Sequence, residues 1–90
     1  MSRRYRVELA PAAQRQLRRL PPGVAASLRS PILALALDPR PPGVQKLQTS
    51  EFWRLRLADL RIVYTIDDAA KIIVVLKVAR RAESTYRRIR

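Results

Sequence analysis

Nineteen lysines and arginines against 7 aspartates and glutamates give this 90-residue chain a formal charge of +12, on a composition that is 48% hydrophobic. That length predicts one domain over residues 1–90 with a modest core. With no cysteine and no histidine, disulfides, thiolate metal sites and a histidine-pair nuclease are excluded; the acids are too few and scattered for a metal cage, so no cofactor is expected.

The first element reads as a strand. Tyr5, Val7 and Leu9 alternate with Arg4, Arg6 and Glu8, the period of a half-buried strand. Pro11 suits the first turn of a helix, where its missing N–H costs nothing. Ala10, Ala13, Leu17 and Leu20 then fall on one helical face, with Arg15, Arg18 and Arg19 elsewhere. This predicts an amphipathic helix of about three turns, ended by Pro21-Pro22-Gly23. Val24, Leu28, Ile32 and Leu35 keep helical spacing toward Leu37, and Pro31 is expected to kink or split that second helix. The segment after Pro31, Ile32 to Leu37, is apolar on every side and is expected to be buried in the core or covered by a partner. Asp38-Pro39 stops it, completing an αα-hairpin. The tetrapeptide Pro-Pro-Gly-Val occurs at 21–24 and 41–44, but its flanks do not match, so no repeat is inferred.

Lys46-Leu47 opens a short strand. Trp53, Leu55 and Leu57 alternate with Phe52, Arg54 and Arg56, and Ala58-Asp59 is short enough for a hairpin loop. Ile62, Tyr64 and Ile66 alternate with Arg61, Val63 and Thr65. After a turn at Asp67 to Ala70, Lys71 to Ala79 is nearly all apolar and rich in β-branched residues, as a central strand should be. The fold class is α+β: an N-terminal strand, an αα-hairpin, then a mostly antiparallel sheet of about four strands with both helices on one face.

Residues two apart on a strand share a face, about 6.5–7 Å from one another. Leu55 and Leu57 therefore point toward the helices while Arg54 and Arg56 point away, joined by Arg61 from the next strand. A solvated strand face is the ordinary place for any one arginine. Three like charges with no acid between them are costly on a sheet, which points to a use. A polyanion would relieve that repulsion, and phosphate contacts release counterions. Arginine's planar fork suits phosphate, although G+C-rich coding also favours arginine.

The order strand, αα-hairpin, sheet, together with the segment WRLRLADLRIVYTI and the ending VARRAESTY, resembles the RelE/ParE superfamily of type II toxin–antitoxin toxins over essentially the whole chain. The RelE branch cleaves messenger RNA in the ribosomal A site. The resemblance implies that Arg54 and Arg56 grip the RNA backbone and that Arg61 and Arg81 lie at the scissile phosphate. It further implies that Tyr86 stacks on a base or assists proton transfer. Lys46 and Arg80 are further substrate-binding candidates. Arginines stabilise phosphorane charge well but move protons poorly. Tyr86, Glu83 and Glu51 are therefore the remaining acid–base candidates. Neighbouring cations would lower the tyrosine's pKa toward that of a general base.

The ParE branch implies a different activity, inhibition of DNA gyrase without nuclease chemistry. The joint presence of basic strand residues and the terminal tyrosine favours RelE. A basic RNA-binding module without catalysis is a third reading, weakened by an aromatic content of 6%. The expected partners of a RelE-like toxin are an acidic antitoxin, in a hetero-oligomer, and the ribosome with its message. No apolar run is long enough to span a bilayer and no secretory signal is visible, so no membrane partner and a cytoplasmic location are expected.

Overall fold

The computed structural model describes residues 4–47 and 51–80. Strand β1 (Arg6–Leu9) leads into helices α1 (Pro11–Arg19) and α2 (Pro22–Ala34), followed by β2 (Gln45–Lys46), β3 (Trp53–Leu57), β4 (Leu60–Asp67) and β5 (Ile72–Arg80). The strands form one sheet in the order β1-β5-β4-β3-β2. Pairings of β2 with β3, β3 with β4 and β4 with β5 are antiparallel, as their short connections require. The two ends of the sheet complete the mostly antiparallel arrangement expected from the sequence. β2 is a two-residue edge strand, which brings the count to five. β1 runs parallel to β5, with Val7 opposite Ile73 and Leu9 opposite Val75. Short turns constrain only sequential strands; β1 is placed by its apolar side chains, which fit the same face of β5.

Both helices begin with proline in the first turn, and Arg18 and Arg19 in the last turn of α1 complement its dipole. Helix α2 runs unbroken through Pro31. A proline inside a helix costs about 3 kcal/mol. Leu28, Ile32 and Leu35, on one face at helical spacing, are all buried, and each burial returns about 1.5–3 kcal/mol. The apolar segment from Ile32 to Leu37 divides: Ile32 and Leu35 enter the core, whereas Leu33 and Leu37 are 59% and 71% exposed.

The core lies between the helices and one face of the sheet. Ala13, Leu28, Ile32 and Leu35 meet Leu55, Leu60, Ile62, Tyr64, Ile73, Val75 and Val78 there. One irregularity shapes the opposite face. Val63 pairs with Lys77 but Tyr64 pairs with Val75, so Leu76 is an extra residue and β5 bulges. No helix among the described residues is long and apolar enough to cross a membrane.

Candidate functional site

The arginine face is built by the β3–β4 hairpin. Its loop is Ala58-Asp59, and Ala58 takes φ 56°, the left-handed conformation that two-residue hairpin loops demand. The tight loop fixes register, placing Leu57 opposite Leu60, Arg56 opposite Arg61, Leu55 opposite Ile62 and Arg54 opposite Val63. Because Leu55, Leu60 and Ile62 are buried against the helices, alternation turns Arg54, Arg56 and Arg61 to the side the helices leave uncovered.

Arg61 is half-buried on that face, and its Nε is buried without a hydrogen-bond partner among the described residues. An unsatisfied buried donor costs about 1–3 kcal/mol. Arg54 donates from Nη2 to Gln45 Oε1 at 2.6 Å, a neutral acceptor that orients the guanidinium without cancelling its charge. No carboxylate ion-pairs with Arg54 or Arg61 among the described residues. Lys77, exposed on β5, lies across Val63 from Arg54 and extends the same positive field.

The other candidates sit elsewhere. Lys46 is in register with Trp53, on the side opposite Arg54, and its ammonium lies 5.7 Å from the Trp53 ring centroid. Arg80 shares the side of Val78, and its Nε donates to Asp59 Oδ2 at 3.3 Å. Glu51 borders a surface recess with Thr65, Asp67 and Asp68, toward the opposite end of β4 from Arg61. Four strand residues, about 13 Å, separate Thr65 from Arg61. The structure thus brings Arg54, Arg56 and Arg61 together and leaves Lys46, Arg80 and Glu51 outside the group. Arg81, Glu83 and Tyr86 lie outside the described residues.

A second set of polar contacts was not visible in the sequence. Asp68 Oδ1 accepts the Tyr5 hydroxyl at 2.6 Å and Arg40 Nη1 at 3.3 Å, while Oδ2 accepts Arg40 Nη2 at 2.9 Å. Hydrogen bonds from Arg40 first, and Tyr5 second, hold the Asp68 carboxyl below its usual range. Donation to Asp68 raises the Tyr5 phenol and the Arg40 guanidinium above theirs. Arg40 also lies 5.0 Å from the Trp53 centroid. Beneath this cluster, fully buried Tyr64 donates to the Pro39 carbonyl at 2.7 Å, and burial pushes its pKa up to about 12. These residues join the loop after α2 to the start of β1, the turn between β4 and β5, and strands β3 and β4. Partners 63 and 28 residues apart leave no local sequence signature.

A family model described as the ParE toxin of the type II toxin–antitoxin system parDE matches residues 7–85. The chain belongs to this toxin family. Its fold is similar to that in the toxin–antitoxin complex RelBE2 from Mycobacterium tuberculosis, at 27% identity and a TM-score of 0.78 over 87% of this chain and 99% of that one. The archaeal RelE–RelB complex from Pyrococcus horikoshii matches at 27% identity and a TM-score of 0.77, over 88% and 97%. The intact Escherichia coli RelBE complex, at 23% identity and a TM-score of 0.73 over 88% and 98%, shares the fold. A search of curated protein sequences gave no match. The ParE-family toxin is thus a RelE/ParE superfamily member, and the matched span includes Arg54, Arg56, Arg61 and Arg81 and stops one residue short of Tyr86.

Proposed function

We propose that this toxin is a ribosome-dependent endoribonuclease that cuts messenger RNA in the A site. The observation that carries the reading is Arg61: a half-buried guanidinium with an unpartnered Nε, beside Arg54 and Arg56 on an uncovered sheet face. In the reaction the 2′-OH attacks the adjacent phosphorus and loses its proton, while the 5′-oxygen of the next nucleotide leaves and gains one. The products are a 2′,3′-cyclic phosphate and a 5′-hydroxyl. Arg61 and Arg81 stabilise the added charge on the phosphorane. Arg54 and Arg56 hold the backbone in line. Tyr86 serves as base or base-stacking residue. The chain's poor set of proton carriers suits a reaction in which the ribosome supplies much of the alignment. Lys46 and Arg80, engaged with Trp53 and Asp59, take no direct part.

An antitoxin completes the system, as in the relatives solved as toxin–antitoxin complexes, and the +12 charge of this chain calls for an acidic one. Exposed Leu33 and Leu37 on the helical hairpin offer it apolar contact, in a toxin–antitoxin hetero-oligomer.

The second reading is gyrase inhibition, favoured by the parDE description of the matching family. Purified toxin with programmed ribosomes, message ends mapped, is compared with the same toxin in a gyrase supercoiling assay. Cleavage that requires ribosomes and leaves supercoiling intact is expected. Lost supercoiling over an uncut message would reverse the assignment.

A further inference from the structure

We infer that Lys77 is a fourth phosphate-gripping residue of the arginine face, carried there by the bulge in β5; this rests on the RNA-directed reading of that face. In a regular strand, burial of Ile73 and Val75 would send Lys77 into the core and Val78 out to solvent. The observed order is the reverse. Leu76 is half-buried, Lys77 exposed and Val78 buried, because Leu76 and Lys77 together oppose Val63. One inserted residue therefore solves two problems, keeping an ammonium out of the core and restoring an apolar side chain to it.

The bulge also has a dedicated support. Strand β1 reaches only as far as Val75, and beyond that point Gln16 of α1 accepts the Val78 N–H at 2.7 Å. The register then sets a row, Arg54–Val63–Lys77, across β3, β4 and β5. Two strand spacings, about 9.5 Å, separate its ends. The row lies next to the Arg56–Arg61–Ala79 row at the hairpin end. An exposed lysine is ordinary by itself. This one has no ion pair among the described residues and stands level with an arginine whose charge is also uncompensated by acid. The ligand class is a single-stranded RNA phosphodiester chain crossing the sheet from β3 toward β5. Lysine acts there as a point charge rather than a bidentate fork.

The test uses full-length toxin and a 2′-O-methyl RNA oligonucleotide, which lacks the attacking hydroxyl. Binding is followed by fluorescence anisotropy over a salt series. Lys77→Ala is expected to weaken binding about 3- to 10-fold and to reduce the slope of log K against log salt by about 0.7–1. Lys77→Arg keeps the slope, and Arg18→Ala on exposed α1 binds as wild type. Equal affinity and slope in Lys77→Ala, with Arg61→Ala weakened, would overturn the inference alone. Absence of binding by the wild type would overturn the inference that this face grips an RNA strand, whereas message left uncut on programmed ribosomes would overturn the RNA-directed reading itself.

Discussion

The helix side of the sheet and the β3–β4–β5 part of its open side treat their cations in opposite ways. On the helix side and around its rim, Arg40 meets Asp68 and Trp53, Lys46 meets Trp53, and Arg80 meets Asp59. On the open side, Arg6 of β1 pairs with Glu8 at 3.3 Å, whereas Arg54, Arg61 and Lys77 on β3, β4 and β5 meet no carboxylate among the described residues. Like charges on one sheet face destabilise it, so neutralisation would be the expected outcome on both sides if folding were the only constraint. Charge compensated within the fold holds the fold. Charge left uncompensated on a face fixed by a tight hairpin is available to a ligand.

The comparison breaks most visibly at Tyr64. Tyr64→Ala removes a fully buried aromatic and is expected to cost about 3–5 kcal/mol in denaturant unfolding. A comparable loss from any single substitution among Arg54, Arg61 and Lys77 would show that the open face is structural.

The Tyr64 phenol gives the next effect. Its folded pKa of about 12 exceeds the ordinary value of 10.0, so the neutral phenol is the form the fold favours. This contribution is complete below pH 10 and is lost as pH rises through 12. Its full extent is on the order of 2 kcal/mol. Unfolding titrations at rising pH should show the loss. Tyr64→Phe should flatten that limb, at a cost of about 1 kcal/mol for the missing bond to Pro39.

Asp68 acts in the acid range with the opposite sign. Its folded pKa is depressed, so its contribution is present above the unfolded value of about 3.9 and disappears as pH falls through the folded one. Asp68→Asn should lower the melting temperature at neutral pH and remove part of the acid dependence. An unchanged acid limb would show that other carboxylates govern it.

The smallest effect is at the hairpin loop. Ala58→Gly relieves a left-handed alanine and is expected to stabilise by about 0.5–1 kcal/mol in thermal unfolding, with message cleavage unchanged. A loss of cleavage would show that the strained loop itself positions Arg56 and Arg61.

Much of this architecture was legible because it is periodic. The alternation of Trp53, Leu55 and Leu57 with Arg54 and Arg56, and of Ile62 and Tyr64 with Arg61, sets the arginines on one face. The two-residue loop at Ala58-Asp59 then fixed their register. Periodicity failed where contacts are distant or where a residue is inserted. Nothing near Arg6–Leu9 announces a parallel pairing with β5. The Leu76 bulge interrupts an otherwise plain strand, and its resolution depends on Gln16 far earlier in the chain. Lys46 is a substrate-binding candidate from the sequence, yet pairing with Trp53 places it on the side of the sheet opposite Arg54. No local pattern marks Arg40, because its partner Asp68 is 28 residues away.

The most direct test concerns Arg61, where the open face concentrates its uncompensated charge. Arg61→Ala and wild type are compared for message cleavage on programmed ribosomes and for melting temperature in the same buffer. Cleavage is expected to fall about 10²- to 10³-fold, with stability within about 1–2 kcal/mol of wild type and moving upward if removal of the unpaired buried Nε dominates. Wild-type cleavage by a folded Arg61→Ala toxin would contradict the claim that this face performs the chemistry.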